Sequence, residues 1–214
     1  MSVNLHSISA EKITASYLSP DDLNAAASVL YAAYHDDAVL SVIFDQAREG
    51  FESRLRQALK QELTAFWDCQ QVILGLYYES RLLAVACLCL PDAGFTPARL
   101  WNWRFKMMLT AGLAGTRQFV DKETQVFSAL PDPSCHMISL IAVHPEYQHQ
   151  GLGHILVGAI ETVVSESVTS NGAAVFATLP AYQSLFQDCG FSVLKSLQVA
   201  GITGQLLFKI RPGA

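Results

Sequence analysis

The sequence is poor in charge and lacks the features that mark several common protein classes. Only 15% of its residues are Asp, Glu, Lys or Arg, and the net charge is −5. The basic residues are dispersed, so the electrostatic footprint of a nucleic-acid-binding protein is missing. No run of uncharged apolar residues reaches the roughly 18 needed to cross a bilayer. The start, MSVNLHSISAEK, has no apolar stretch of signal-peptide length. We therefore expect a cytoplasmic protein with no nucleic-acid or membrane partner.

The cysteines and glycines also lack several familiar patterns. The five cysteines are odd in number and form no C-x-x-C pair, which predicts reduced, mostly buried thiols. The histidines lack ligand spacing with cysteines or acids, so we expect no metal site. G-x-x-x-x-G-K-[ST] and G-x-G-x-x-G do not occur, which excludes a P-loop NTPase and a dinucleotide-binding Rossmann unit.

What is present is an apolar chain with mixed helix and strand patterns. Hydrophobic residues make up 51% of 214 positions, which suits one globular domain over residues 1–214. The predicted strands are 12–18, 71–78, 82–90, 136–143, 173–179, 192–199 and 204–210. Helices are predicted from Pro20 onward, over 51–66, after Gly151 and near 180–188.

A helical insert at 91–134 interrupts this pattern. Thr96-Pro97 predicts a helix start, 115–127 a shorter second helix, and PDPS at 131–134 a closing loop. The apolar area of 97–119 must be buried somewhere. Either this segment packs on the sheet, or it forms a lid over a substrate cleft with Trp101, Trp103 and Met107 shaping it.

The most informative stretch joins a strand, a loop and a helix. It reads ISLIAVHPEYQHQGLGHILVGAIETVV, with Gln148, Gly151 and Gly153 at the junction. Glycines there let the backbone approach a ligand closely. The free amides at the start of the following helix can then hold a phosphate. An ordinary glycine-rich turn between strand and helix would have the same spacing.

These residues resemble a known family. AVHPEYQHQGLGHILV is similar to motif A of the GNAT acyltransferases, and PAYQSLFQDCGF resembles their motif B, where a short helix ends in Gly-Phe. The order of elements from residue 12 to residue 210 resembles theirs too. The resemblance implies a GNAT fold: an α/β (α+β) domain whose mixed sheet has a splay between its fourth and fifth strands, with helices on both faces. The insert is more loosely similar to the antibiotic subgroup near puromycin acetyltransferase.

The resemblance also implies acetyl-CoA as cosubstrate, without a metal, bound in the splay. The backbone of Ile141, Ala142 and Val143 would pair with the pantetheine arm. The Val143 amide would polarise the thioester carbonyl, an oxyanion-type role. The loop amides would wrap the pyrophosphate. These loop residues are Gln148, His149, Gln150, Gly151, Leu152, Gly153 and His154.

The reaction implied by the family is direct attack of an amine on the thioester. GNAT enzymes usually have a motif-B tyrosine as the acid for the departing thiolate, but Phe186 stands at that position. Tyr182, one helical turn earlier, is the candidate replacement, with a packing tyrosine as the alternative. His136, on the fourth strand, is the candidate base, with a hydrogen-bonded structural histidine as the alternative.

The expected function is N-acetyl transfer from acetyl-CoA to a primary amine of a small molecule through a ternary complex. Asp36, Asp37 and Glu52 are candidate ligands of a cationic amine, or solvated residues at helix ends. The alternative is an acyl-CoA-binding regulatory or scaffold module, which the missing tyrosine favours. A protein acceptor is a third hypothesis, disfavoured if the insert covers the cleft. A homodimer is compatible with the sequence.

Overall fold

One mixed sheet forms the centre of the molecule, whose computed structural model describes residues 12–91, 97–130 and 132–213. Its strands are β1 (Ile13–Tyr17), β2 (Val72–Tyr78), β3 (Arg81–Cys89), β4 (His136–Val143), β5 (Gly172–Ala177), β6 (Ser192–Val199) and β7 (Ile202–Ile210). They follow the order β1-β2-β3-β4-β5-β7-β6. The helices around the sheet are α1 (Leu23–Tyr34), α2 (Ala38–Ile43), α3 (Phe51–Asp68), α4 (Pro97–Ser128), α5 (Leu152–Glu166) and α6 (Pro180–Asp188).

The sheet opens where the sequence comparison with GNAT proteins predicted a splay. β4 and β5 run parallel and pair only over His136–Ile138 and Ala173–Val175. Beyond that point β4 continues along β3 as far as Val143, while β5 follows β7 as far as Ala177. The two strands therefore diverge toward their carboxyl ends, and the predicted fold is confirmed.

Each face of the sheet carries its own apolar core. On one face α5 buries a stripe with helical spacing against the sheet: Leu152, Leu156, Val157, Ile160 and Val164. On the other face α1, α3 and α4 pack together, with Leu30, Leu55, Leu63 and Phe66 among the fully buried side chains. Apolar residues on both faces explain why β3 reads as an almost continuous hydrophobic run rather than an alternating one.

Two helices differ from the sequence prediction. α2 was not predicted, because six residues are too few to show a helical period. It begins where the Asp37 side chain accepts a hydrogen bond from the Leu40 amide at 2.8 Å. α4 consists of two helical halves joined at Gly112, whose φ of 80° and ψ of 168° interrupt the helix. The shorter helix predicted over 115–127 is the second of these halves.

The insert is buried on one face only. Trp103, Met107 and Phe119 are 4%, 0% and 4% exposed and belong to the core with α2 and α3. Leu109 and Leu113 on the outer face are 72% and 71% exposed. The prediction that the apolar area of 97–119 is buried therefore holds for only part of the described surface. The side chain of Trp101 lies outside the described residues.

The cysteines are free, as predicted. Cys87, Cys89 and Cys135 are buried, and Cys69 and Cys189 are half-buried. Over the described ranges, no helix combines the length and the apolar character that a membrane span requires.

Candidate active site

The loop before α5 presents a row of free backbone amides. The first hydrogen bond of α5 runs from the Ile155 amide to the Gly151 carbonyl at 3.2 Å. The amides of residues 152–154 therefore have no acceptor within the helix. His149 and Gly151 have left-handed φ values of 61° and 81°, a conformation that turns successive amides toward one concave side. Together with the positive end of the helix dipole, this geometry suits a phosphate.

The edge of β4 that faces the splay offers a second set of backbone groups. Residues along a strand direct their N–H and C=O groups alternately to its two edges. The Ile141 amide and carbonyl both contact the Tyr34 hydroxyl at 3.1 Å, and the Val143 carbonyl accepts from Gln148 Nε2 at 3.0 Å. Ile141 and Val143 therefore face the splay, whereas the backbone of Ala142 faces β3.

Loop and edge belong to one cleft of about 450 Å³. It is lined by residues of α1, β5 and α6, by Asp37, and by the predicted cofactor residues, Gln150 excepted. Besides Ile141, Ala142, Val143, Gln148, His149, Gly151, Leu152, Gly153 and His154, its lining includes Tyr34, Asp37, Tyr147, Val175, Phe176, Ala177, Thr178, Ala181, Tyr182, Leu185 and Phe186. Gln150 Oε1 is buried and has no hydrogen-bond partner within the described part of the chain.

The two glycines of the loop have different roles. A Cβ on Gly151 would meet no atom within 4 Å, so this position keeps open space beside the amides. A Cβ on Gly153 would come within 3.0 Å of Leu185, which holds α6 close to α5. Gly151 therefore favours the left-handed conformation of the loop, because its φ is positive, and Gly153 allows close helix packing.

Two tyrosines reach the cleft from opposite sides of the splay. Tyr182 projects from α6 and is 40% exposed, and Tyr34 projects from α1 onto β4. Burial, followed by the negative charge of Asp37, raises the pKa of Tyr182. Burial also raises the pKa of Tyr34 well above its ordinary value. Both phenols therefore stay protonated near neutral pH and can donate a hydrogen bond.

His136 lies apart from this cleft. It begins β4, five residues before Ile141, which at about 3.3 Å per residue is a separation of about 16 Å. Its ring is fully buried, and Nδ1 is 2.8 Å from the Ser170 hydroxyl. Burial lowers the pKa of His136. The surroundings of His136 are thus those of a hydrogen-bonded structural histidine, and the structure does not bring this candidate base close to Tyr182.

A comparison of the sequence with known protein families agrees with the function that this geometry suggests. The model of the acetyltransferase (GNAT) family matches residues 40–191, which is more than half of the chain. The chain belongs to the GNAT acetyltransferase family. No curated protein sequence matches it significantly.

Solved structures show the same fold at low sequence identity. A Corynebacterium glutamicum protein, described as histone acetyltransferase HPA2 and related acetyltransferase, has 14% identity and a TM-score of 0.65, covering 92% of this chain and 96% of its own. A protein described as arylalkylamine N-acetyltransferase 7 from the yellow fever mosquito has 12% identity and a TM-score of 0.66, covering 92% and 87%. The ribosomal-protein-S18-alanine N-acetyltransferase of Escherichia coli has 14% identity and a TM-score of 0.55, covering 93% and 94%. None of these matches singles out the puromycin acetyltransferase subgroup.

Proteins of the GNAT family use acetyl-CoA, and the cleft fits such a molecule. The free amides of residues 152–154 and the left-handed turn before them suit a pyrophosphate. The splay-facing groups of Ile141 and Val143 can pair with an extended amide-containing arm, as a neighbouring strand would. An elongated ligand with an anionic end and a peptide-like end therefore matches both parts of the site.

Phe186 departs from the usual GNAT pattern. Its ring is 1% exposed and packs edge-to-face on Phe191, with ring centroids 5.1 Å apart and an interplanar angle of 68°. It forms an apolar wall at the position where the resemblance to motif B implies a tyrosine. The spacing of motif B indicates Tyr182, but no sequence signal indicates Tyr34, because helical periodicity assigns that residue simply to the buried face of α1.

The described part of the insert does not contribute to this wall. Among the described residues that line the cleft, none comes from α4. Trp103 and Met107 instead pack with Phe119 in the core, where the Trp103 and Phe119 rings lie 5.4 Å apart. These contacts correspond to the packing interpretation of the insert. The burial of Trp103 and Met107 therefore gives no argument for a lid or against a protein acceptor.

Proposed function

We propose that this protein transfers the acetyl group of acetyl-CoA to a primary amine of a small molecule. The observation that carries the proposal is the continuity of the cleft from the free amides before α5 to the opened edge of β4. One end suits the pyrophosphate and the other suits the thioester. The volume of the cleft, about 450 Å³, lies within the range of about 300–1,000 Å³ that is usual for small-molecule sites.

In the proposed reaction the amine nitrogen attacks the thioester carbonyl carbon. A C–N bond forms, the C–S bond breaks, and the sulfur leaves as thiolate. The nitrogen loses one proton as the amide forms, and the thiolate takes up one proton to give free CoA. An acceptor that binds as an ammonium ion first releases one proton to solvent. A backbone amide on the edge of β4, from Val143 or Ile141, would polarise the carbonyl oxygen.

The thiolate needs a proton donor, and the cleft has two phenols for this role. Tyr182 faces the cleft from α6, and its raised pKa keeps the proton available. The Tyr34 hydroxyl is bound to the Ile141 backbone. A pantetheine arm that paired with Ile141 would replace these bonds and release the Tyr34 hydroxyl beside the sulfur. We assign Tyr182 as the acid and Tyr34 as a second donor at the thioester.

A thiol-release assay tests the proposal. Purified protein is incubated with acetyl-CoA and a panel of small primary amines, and with peptides carrying a free N-terminus or lysine as the comparison. We expect thiol release and a product 42 Da heavier than the acceptor, the mass of an added acetyl group, with small amines preferred. Peptides acetylated faster than any small amine would contradict the acceptor class.

The second candidate function is an acyl-CoA-binding module without turnover. It is favoured by the apolar ring of Phe186 where the family usually has a tyrosine. Tight binding of acetyl-CoA in calorimetry, with no thiol release from any acceptor, would decide for this alternative. Failure to bind acetyl-CoA would contradict both candidates.

A further inference from the structure

The cleft carries opposite electrostatic character at its two ends. The loop end consists of free amides at the positive end of a helix dipole. At the other end, beside Tyr34 and so near Ile141 on the edge of β4, stands Asp37, just before α2. Among the described residues that line the cleft, Asp37 is the single carboxylate, and no lysine or arginine accompanies it. A cleft that attracts an anion at one end thus presents a negative charge at the other.

Only one oxygen of Asp37 is needed by the fold. Oδ1 accepts from the Leu40 amide at 2.8 Å and caps α2. Oδ2 has no hydrogen-bond partner within the described residues. The charge of Asp37 acts on both cleft phenols, Tyr34 and Tyr182. Asp37 also lines the same cleft as both phenols, and its amide donates to the Tyr34 carbonyl at 3.1 Å, so the carboxylate lies near the groups proposed to act on the thioester.

The charge of Lys122 interacts with that of Asp37, but Lys122 has a closer partner. Burial opposes the charge of Lys122, but Glu123, Glu62 and Asp37 outweigh this effect and raise its pKa. Lys122 forms its ion pair with Glu123 at 2.7 Å. Within the described residues Lys122 therefore has its ion pair with Glu123 and forms none with Asp37.

The other two candidate acids are placed differently. Asp36 is 88% exposed and Glu52 is 72% exposed at the side chain, and both contact His35. Neither lines the cleft. Of the three candidate acids in the sequence, the structure places Asp37 in the cleft. Asp36 is a neighbouring carboxylate that is exposed to solvent outside the cleft.

We propose that Asp37 binds the ammonium group of the acceptor, so that the acceptor class is a basic aliphatic amine rather than a weakly basic arylamine. An ammonium entering a largely apolar cleft needs a hydrogen-bonded anion to offset its desolvation. Asp37 Oδ2 supplies that anion at the end of the cleft opposite the phosphate loop. The proposal rests on the proposed function of this cleft, and its test includes a binding measurement that does not require turnover.

The test uses Asp37→Asn, with Asp36→Asn as the matched control. Asparagine caps a helix as well as aspartate does, so the variant should keep α2 and lose only the charge. The protein is saturated with CoA and titrated by calorimetry with hexylamine, 2-phenylethylamine and spermidine. Hexanol and 2-phenylethanol are the neutral analogues of the first two. Thermal melts confirm that both variants are folded.

We expect the wild type to bind amines better than the matching alcohols. Asp37→Asn should weaken amine binding roughly 10- to 100-fold, the effect of losing a charged hydrogen bond. Alcohol binding should stay within about twofold, and Asp36→Asn should resemble the wild type. Where turnover occurs, kcat/KM for alkylamines should fall by the same factor while that for aniline, neutral at pH 7, should not.

Three results would overturn the assignment of Asp37. The first is equal affinity of the wild type for amines and alcohols, which includes the absence of binding by either. The second is an equal effect of Asp37→Asn and Asp36→Asn on amine binding. The third is a loss of alcohol binding in Asp37→Asn that equals its loss of amine binding. Thiol release from acetyl-CoA that survives Asp37→Asn with unchanged amine preference would refute Asp37 and leave the acetyltransferase intact. Absent thiol release with a charge-dependent amine preference would refute turnover and leave Asp37 as an amine ligand.

Discussion

The phosphate-binding role of the loop can be tested by adding one charge at Gly151. This residue has a φ of 81°, and a Cβ there would meet no atom within 4 Å. Asp and Asn both tolerate the left-handed region better than other residues do. Gly151→Asp and Gly151→Asn should therefore carry the same conformational cost, about 1–2 kcal/mol. They have nearly the same shape and differ in one negative charge.

The expected effect follows from Coulomb's law. A carboxylate about 4–6 Å from a phosphate charge is repelled by about 3–4 kcal/mol at an effective dielectric constant of 20. Salt reduces this value at the open side of the loop. We expect Gly151→Asp to bind acetyl-CoA more weakly than Gly151→Asn by about 2 kcal/mol, which is roughly a 30-fold difference in Kd.

Calorimetric titration with acetyl-CoA measures the difference, and higher salt should narrow it. Acetyl-pantetheine, which has no phosphate, should bind the two variants equally. Gly158→Asp is a control for added charge, because this position on α5 is also open and lies outside the cleft lining. Equal Kd values of Gly151→Asp and Gly151→Asn for acetyl-CoA at low salt would refute the assignment of this loop to the pyrophosphate.

The remaining predictions concern the phenols, the buried histidine and the insert. Tyr182→Phe should lower kcat roughly 100-fold, the usual effect of losing a positioned acid, and an unchanged rate would remove it from the mechanism. Tyr34→Phe should lower kcat without weakening acetyl-CoA binding in calorimetry, because the backbone of Ile141 becomes free for the cosubstrate. Because burial lowers the pKa of His136, the native state resists protonation and stability falls as the pH drops below about 6.5. His136→Gln should flatten the dependence of Tm on pH between about 7 and 5 and leave the pH profile of kcat intact. Met107→Ala should cost about 2–5 kcal/mol in urea unfolding, because the side chain is fully buried, with no change in KM for acetyl-CoA.

The order of elements could be predicted from sequence because each long element carries its own signal. Strand β4, the glycine loop and α5 combine an apolar run, two glycines and a helical stripe within one stretch. α2 and the break at Gly112 carry weaker signals. α2 has six residues, and a single glycine inside a helical pattern does not by itself predict that the helix bends there.

The same distinction applies to the predicted site, where some features depend on local sequence and others on contacts between distant residues. The free amides follow from glycine spacing and the start of a helix, which are local. The contact between Tyr34 and Ile141 joins residues 107 positions apart, and no local pattern indicates it. For His136 the local prediction is correct but insufficient. The sequence assigns this residue to the correct strand, but its distance from the site depends on where β4 and β5 separate.

The departure at Phe186 has a different meaning once the distant contacts are known. Read from motif B alone, the loss of a phenol favours a protein without turnover. In the fold, the space that Phe186 fills is closed by its packing on Phe191, while Tyr34 and Tyr182 reach the cleft from α1 and α6. A proton donor has to lie near the leaving sulfur, and any element that borders the splay can supply it. The missing tyrosine therefore removes one donor position without removing donors from the cleft, which is why the acetyltransferase is the stronger of the two candidate functions.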